Sequence, residues 1–265
     1  MSDHHTNPAP APTDARKEGR AGRNVLVTGA SRGIGRAIAL AFAEQGDRVA
    51  VHCASRPEEA ERTLRRLPGH GHALLRADLG EPGAAAGLVA EVVDRLGGID
   101  VVVNNAAVNT PHPPESTPYA EWRRAWESTF AVNVFAAADV SYLAARHMIG
   151  RGVGGHIVNV GSRGAYKGEP DHPAYGASKA ALHSLGQSLA VALAPHGITV
   201  ASVAPGFVAT ERVADRLTER VRAQSPFGRV ASPEEVAAAV RYLASPEAVW
   251  SSGAVLDVNG ASHLR

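Results

Sequence analysis

Tyr175 and Lys179 lie four positions apart in the stretch HPAYGASKAALHSL, which otherwise holds mainly Ala, Gly, Ser and Leu. On a helix, positions i and i+4 share one face, so the phenol and the ammonium would stand side by side. An ordinary tyrosine has a pKa of about 10, and a neighbouring positive charge favours the phenolate. The spacing is therefore typical of a general acid or base, although such a pair on a solvated face would do no chemistry.

The elements that must position this pair follow a regular rhythm from residue 24 onwards. Short runs rich in Val, such as NVLVTG and RVAVHC, have the composition of buried parallel strands, and helical patterns follow them. The alternation repeats without a break. It predicts one α/β domain, a doubly wound Rossmann domain with a seven-stranded parallel sheet and helices on both faces.

Composition limits the location and the partners. Residues 1–23 contain Pro, Ala and charge but no apolar segment, so we expect a disordered tail before a catalytic domain over 24–265. The net charge of +1 argues against a nucleic-acid partner, and no apolar run of about 20 residues predicts a membrane span. Cys53 is the single cysteine, so we expect a reducing, cytoplasmic location. We predict no metal site.

The stretch TGASRGIG, residues 28–35, lies where the first strand meets the first helix. Glycines there allow a tight turn and let a pyrophosphate approach N–H groups at a helix N-terminus. Glycine turns are common, but the strand–turn–helix context indicates a dinucleotide site. The expected cofactor contacts in this turn are Gly29, Ser31, Arg32, Gly33, Ile34 and Gly35.

The end of the second strand bears on cofactor choice. Dinucleotide folds that prefer NAD usually present Asp or Glu there to the ribose 2′-OH, but this sequence has Cys53 at about that place. Arg56 follows shortly, and Arg32 lies inside the glycine turn; guanidinium groups bind a 2′-phosphate bidentately. We expect NADP(H) rather than NAD(H), unless Arg56 is only a solvated residue at a helix start.

Taken in order, these segments resemble the classical short-chain dehydrogenase/reductase family, and most of all bacterial 3-oxoacyl-carrier-protein reductases. The resemblance covers nearly everything from residue 24 to residue 260. Two departures are visible, NNAA for the usual NNAG and VNGA for a frequent double glycine. The matching segments are TGASRGIG, ADL at 77–79, NNAA at 104–107, Asn133 in FAVNVF, Ser162 in NVGS, YGASK at 175–179 and PGFVAT at 205–210.

The resemblance implies hydride transfer between a nicotinamide and a small ketone or secondary alcohol, with Tyr175 as general acid or base. Lys179 would also contact the nicotinamide ribose, and Ser162 would hold the substrate oxygen. Asn133 would lie at a helix irregularity and hold a water linked to Lys179. Taken singly, Ser162 could be a strand-end cap and Asn133 a packed polar residue.

The same resemblance implies cofactor contacts elsewhere. Asp78 and Asn104 would line the adenine and ribose cleft, although Asp78 could instead cap a loop. Thr210 would contact the carboxamide. The full set of further contacts is Asp78, Leu79, Asn105, Tyr175, Lys179, Pro205, Gly206, Val208 and Thr210.

Two segments are expected to border the substrate. By resemblance residues 207–230 form a lid, where Val213, Leu217 and Val221 give an apolar stripe on one helix. The loop 163–174 should flank the other side. Its Arg163, Asp171 and His172 could touch a substrate or face water.

Several alternatives stay open. VALAPHG, after the Tyr/Lys helix, lacks Lys or Arg, which favours a free small ketone over a carrier-bound 3-oxoacyl substrate. A catalytically idle NADP(H)-binding regulatory protein would not need Ser162, Tyr175 and Lys179 together, and a nucleotide-sugar epimerase or dehydratase would need a larger C-terminal domain. By resemblance we expect a homodimer or homotetramer.

Overall fold

The structure, a computed structural model, describes residues 22–265. Seven parallel strands form one sheet, as predicted, and their order is β3-β2-β1-β4-β5-β6-β7. The chain runs outwards from β1 to β3, crosses back to β4 and runs outwards again, so β1 and β4 are central neighbours. The strands are β1 (Asn24–Val27), β2 (Arg48–Cys53), β3 (Ala73–Arg76), β4 (Val101–Asn104), β5 (Gly155–Val160), β6 (Ile198–Pro205) and β7 (Val255–Val258).

Helices cover both faces of the sheet. Val25 and Val27 of β1 belong to one buried cluster with Phe42, whereas Leu26 belongs to another with Leu88. Both faces of β1 are therefore buried, which explains its continuous apolar run. The helices are α1 (Gly33–Ala43), α2 (Pro57–Arg66), α3 (Ala84–Leu96), α4 (Tyr119–Phe130), α5 (Ala137–Gly150), α6 (Pro173–Leu193), α7 (Glu219–Arg222) and α8 (Pro233–Leu243).

A π-helical segment, Ala131–Ala136, joins α4 to α5 and contains Asn133. The whole stretch Tyr119–Gly150 is long and apolar enough to cross a membrane by length and composition. However, 44% of its most apolar window is buried, and the stretch packs against α3 and α6. A core helix passes the same test, so this is weak evidence for a membrane, and the absence of a membrane partner remains a prediction.

Helix α8 had no counterpart in the sequence analysis. Ser232 Oγ accepts a hydrogen bond from the N–H of Glu235, and Glu235 Oε2 accepts one from the N–H of Ser232 at 2.8 Å. The sequence pattern S-x-x-E, with Pro233 at the first helical position, is typical of such a reciprocal cap. The helix packs against α1 and covers one face of the sheet.

Arg23, the last residue of the expected tail, contacts the folded domain. Its guanidinium lies 2.6 Å from the Asp47 carboxylate and stacks over the Phe42 ring. A nearly buried carboxylate needs such a partner, because an unpaired buried charge is costly. The rest of the expected tail, residues 1–21, lies outside the described residues.

The C-terminal turn has an unusual backbone. Gly260 and Ala261 adopt φ angles of 58° and 57°, in the left-handed region. These are the positions where the resemblance expects two glycines. A left-handed conformation costs an L-residue about 1–2 kcal/mol, so Ala261 holds local strain that a glycine would not.

We expect Ala261→Gly to raise the free energy of unfolding by about 0.5–1 kcal/mol, the relieved strain less the extra entropy of glycine in the unfolded chain. Urea unfolding at fixed protein concentration measures this. Gly260→Ala is the matched control and should destabilise, because its Cβ would lie 2.7 Å from Ser225 Oγ. A less stable Ala261→Gly variant would contradict the strain.

Candidate active site

A cleft of about 380 Å³ opens at the carboxyl edge of the sheet. Residues that follow β1, β2, β3, β4, β5 and β6 line it, together with Tyr175 and Lys179 of α6. Open α/β sheets bind ligands at this edge, where the strand order reverses. The structure brings the predicted site residues to the cleft except Asn104, Asn133 and Val208.

The glycine turn after β1 is held in place by Asn105. Its Nδ2 donates to the carbonyl oxygens of Thr28 and Gly29, at 2.8 and 3.0 Å. Gly29 has φ 66°, and a Cβ there would lie 2.9 Å from Ala106 Cα, so no larger residue fits. No side chain caps the N-terminus of α1, which begins at Gly33 beside the cleft. The uncapped N-terminus of α1 and the glycine-rich turn before it are suited to binding a pyrophosphate.

His52 also holds this turn, and the sequence analysis missed it. Its Nδ1 accepts a hydrogen bond from the N–H of Gly29 at 3.1 Å, and its Nε2 donates to the Ala77 carbonyl at 3.0 Å. Burial lowers the pKa of His52, which favours the neutral ring that this pattern needs. A polar residue near the end of the apolar run RVAVHC was the available signal.

Asn104 and Asp78 have different roles. Asn104 was expected to line the cleft, but it is buried, and its Nδ2 donates to Ser141 Oγ and Asn159 Oδ1, both at 2.9 Å. Neighbouring residues in a strand point to opposite faces, so Asn104 joins the sheet to α5. Asp78 lines the cleft and also caps the loop, since its Oδ1 accepts from the N–H of Gly80 at 2.9 Å, and its contact with the cofactor remains a prediction.

Arginines surround one end of the cleft. Arg32 and Arg56 line the cleft and also an adjoining pocket of about 610 Å³. Arg36 in that pocket pairs with Glu59 at 2.8 Å and with Glu211 at 3.4 Å. The pocket is rich in positive charge because six arginines face two glutamates. Its lining is Arg32, Arg36, Arg56, Glu59, Arg62, Arg65, Arg66 and Glu211.

Ser162, Tyr175 and Lys179 meet in the cleft. Ser162 Oγ accepts a hydrogen bond from the N–H of Gly164 at 2.9 Å, which leaves the serine hydroxyl hydrogen to donate elsewhere. Its cap role and its place in the cleft are therefore compatible. Lys179 is buried, donates from Nζ to the Val160 carbonyl at 2.8 Å, and lies 5.6 Å from the centre of the Tyr175 ring. A positive charge thus stands beside the phenol.

Asn133 lies outside the cleft and acts through its neighbours. Its Nδ2 donates to the Val108 carbonyl and to Ser178 Oγ, both at 3.0 Å, and its Oδ1 accepts from the N–H of Val108. The side chain therefore fastens the loop after β4 to α6, between Tyr175 and Lys179. The expected water next to Lys179 remains a prediction.

Val208 does not line the cleft either. It is buried, and it pairs with Ala231 in an isolated parallel bridge. This bridge fixes the two ends of the lid segment to each other. The expected contact of Val208 with the cofactor remains a prediction.

The lid is not the single helix that the stripe of Val213, Leu217 and Val221 predicted. It contains a 3-10 helix, Glu211–Arg216, followed by the short α7. Thr218 has an extended backbone, and its side chain accepts from the N–H of Val221, so it starts a new helix. The capping threonine is the physical reason for the break.

Arg163 and His172 are buried, not water-facing, whereas Asp171 is exposed. The Arg163 guanidinium donates to Ser262 Oγ and Gln224 Oε1, both at 2.5 Å, and stacks over Phe207. Burial lowers the pKa of Arg163. This side chain joins the loop after Ser162 to the lid and to the C-terminal turn.

His183 supports the cleft wall from behind. Its ring stacks on Tyr166, with Nδ1 3.1 Å from the tyrosine hydroxyl, and a Cβ on Gly161 would collide with its Nε2. Burial, and then the charge of Lys179, lower the pKa of His183 to about 4. Since Gly161 precedes Ser162, a neutral imidazole packs directly behind Ser162.

His183 should make stability pH-dependent. Because its pKa falls from 6.5 to about 4 on folding, its contribution is present above pH 6.5 and is lost as the pH falls towards 4. Between pH 7 and pH 4 the free energy of unfolding of the wild type should fall by up to about 3 kcal/mol more than that of His183→Phe. Urea unfolding at the two pH values measures this difference. His196→Phe, at an exposed histidine, is the control. Parallel curves for wild type and His183→Phe would contradict the assignment.

A phosphate-binding turn at the switch point of a doubly wound sheet defines a dinucleotide-binding Rossmann protein. Comparison with known proteins narrows this class. A family model described as enoyl-(acyl carrier protein) reductase matches residues 29–263. The chain therefore belongs to the short-chain dehydrogenase/reductase family of nicotinamide-dependent oxidoreductases.

Individual relatives cover nearly the whole chain. It is 36% identical over 250 residues to an L-rhamnose 1-dehydrogenase (NAD(P)(+)) of Sphingomonas sp., covering 92% of this chain and 97% of that one. It is 34% identical over 247 residues to the 3-oxoacyl-[acyl-carrier-protein] reductase FabG of Staphylococcus aureus, covering 91% and 98%. The crystal structure of acetoin dehydrogenase YohF from Salmonella typhimurium has a TM-score of 0.81 at 32% identity, covering 91% and 97%.

Proposed function

We propose that this protein is an NADP(H)-dependent oxidoreductase that interconverts a small ketone and a secondary alcohol, with Tyr175 as general acid and base. The observation that carries the proposal is the meeting of Ser162, Tyr175 and Lys179 in a cleft with a phosphate-binding turn. A bound nicotinamide supplies or accepts the hydride.

Each side chain has a separate task. The Ser162 hydroxyl donates to the substrate oxygen, since its hydrogen is not used in the bond that Oγ accepts from the N–H of Gly164. Tyr175 gives its proton to that oxygen in reduction and takes it back in oxidation. The buried ammonium of Lys179 stabilises the phenolate that is left behind. Asn133 keeps α6 in place through Ser178.

We expect Tyr175→Phe to lower kcat for ketone reduction by about 10²–10⁴-fold, since it removes the proton donor and keeps the ring. NADPH oxidation at 340 nm measures turnover, and NADPH titration should show that the variant still binds the cofactor. Tyr242→Phe, at an exposed tyrosine of α8, is the control and should keep full activity. A Tyr175→Phe variant as active as wild type would reject this acid.

The preference for NADP(H) rests on charge. Arg32 and Arg56 border the cleft beyond the end of β2, where Cys53 stands in place of a carboxylate. The nearest glutamates, Glu59 and Glu211, both pair with Arg36. A 2′-phosphate would therefore meet guanidinium groups without an opposing acid of its own.

We expect Arg56→Ala to raise KM for NADPH by about 10-fold or more and to leave KM for NADH unchanged, because it removes a charged hydrogen-bond donor from the phosphate. Steady-state kinetics with both cofactors measures this. Arg95→Ala removes an equal charge from α3, where Arg95 pairs with Glu91, and serves as the control. A wild-type enzyme that prefers NADH would reject the NADP(H) assignment.

The substrate could be free or bound to a carrier protein. A carrier-bound 3-oxoacyl substrate is the second candidate, and the likeness to FabG favours it. The turn after α6, Ala194–His196, contains no Lys or Arg to meet an acidic carrier, which favours a free substrate.

We propose a cytoplasmic homodimer or homotetramer. The exposed Tyr119, Phe135 and Tyr142 give α4, α5 and the π-helical segment between them an apolar surface for assembly.

A further inference from the structure

Glu169 lies in the loop between Ser162 and Tyr175 and is partly buried. A Cβ built on Gly164 would fall 2.6 Å from Glu169 Oε1 and 3.1 Å from Ser162 Oγ. The carboxylate and the serine hydroxyl thus approach the same point, and their separation cannot exceed the sum of those distances. A carboxylate therefore stands close to the group that holds the substrate oxygen.

Two glycines make room for this carboxylate. The φ of Gly164 is not in the left-handed region, so its backbone would accept other residues, and the close approach of Glu169 is what excludes them. A Cβ on Gly176, the residue after Tyr175, would lie 3.7 Å from Glu169 Cγ. Glu169 therefore occupies a notch between the serine loop and the start of the catalytic helix.

The carboxylate in this notch favours a substrate group that donates a hydrogen bond. Glu169 is close enough to Arg163 for the two charges to interact, and that guanidinium is fixed by Ser262 and Gln224. An ionised carboxylate accepts hydrogen bonds and donates none, and its two oxygens can accept from several groups at once. A substrate group placed beside Glu169 is therefore favoured when it carries an O–H or N–H.

We propose that Glu169 selects substrates with a hydroxyl group on the carbon next to the reacting carbonyl, namely α-hydroxyketones and the corresponding vicinal diols. This rests on the proposed function. Ser162 holds the carbonyl oxygen while Glu169 accepts from the neighbouring hydroxyl. Oxygens on adjacent carbons are close enough to reach both groups. The names of two relatives, the L-rhamnose and acetoin dehydrogenases, denote substrates with oxygens on adjacent carbons.

The test compares two ketones of the same shape, acetoin and 3-methylbutan-2-one, in which a methyl group replaces the hydroxyl. We expect the wild type to reduce acetoin with a kcat/KM about 10-fold or more above that of the methyl ketone. Glu169→Leu should abolish this ratio through loss on acetoin alone, and Glu169→Gln should keep part of it. Glu121→Gln, at an exposed residue of α4, is the control.

Each other outcome overturns the inference. If Glu169 only braces the loop, Glu169→Leu lowers kcat/KM for both ketones equally and the ratio persists. A stronger wild-type preference for 3-aminobutan-2-one assigns the carboxylate to an ammonium instead. Turnover of plain ketones without any preference for acetoin rejects the hydroxyl and leaves the reductase proposal standing. No turnover of any ketone or alcohol rejects the reductase proposal as well. If Glu169→Leu fails to fold, Glu169→Gln, which has nearly the same size, decides: a ratio unchanged from the wild type rejects the role of the carboxylate.

Discussion

The turn between β1 and α1 is held by hydrogen bonds from three sides, and the cleft depends on them. Asn105 bonds the Thr28 and Gly29 carbonyls, His52 accepts from the Gly29 N–H, and Thr28 Oγ1 accepts from the N–H groups of Asn105 and Ala106. An unpaired buried polar group is costly, so these bonds fix the turn. They leave the start of α1 open towards the cleft, and this makes a phosphate site possible.

A second set of bonds fixes α6, which carries Tyr175 and Lys179, to the sheet. Lys179 is 2% exposed, and its Nζ donates to the Val160 carbonyl at the end of β5. Asn133 bonds Ser178 one residue before, and His183 packs against Gly161 one turn later. A buried ammonium is tolerated only with such partners, so the lysine is also a constraint on the position of α6. Ser162 and Tyr175 take their relative positions from this junction.

The substrate side is organised around another buried charge. Arg163 joins the loop after Ser162 to Gln224 in the lid and to Ser262 in the C-terminal turn, and Ser225 Oγ donates to the Gly260 carbonyl beside it. Three segments that are far apart in the chain therefore meet next to Ser162. A change in any of these three segments should therefore alter the geometry around Ser162. The turn between β1 and α1 is held by a different set of hydrogen bonds.

Local spacing in the sequence was enough to predict the seven parallel strands of a doubly wound domain, the glycine turn after the first strand and the side-by-side placement of Tyr175 and Lys179. It also contained the capped start of α8 and the Thr218 cap that divides the lid, although neither was used. These features depend on residues within a few positions of one another, where helix and strand geometry is regular.

Tertiary structure alone decided which polar residues face the cleft. Asn104 and Asn105 are neighbours with the same side chain, yet one is buried against Ser141 and Asn159 and the other holds the glycine turn. The partners of Asn133 and Arg163 lie 25 to 99 positions away along the chain. Such pairs form only when packing brings distant elements together, because buried polar atoms take whatever partner the fold supplies.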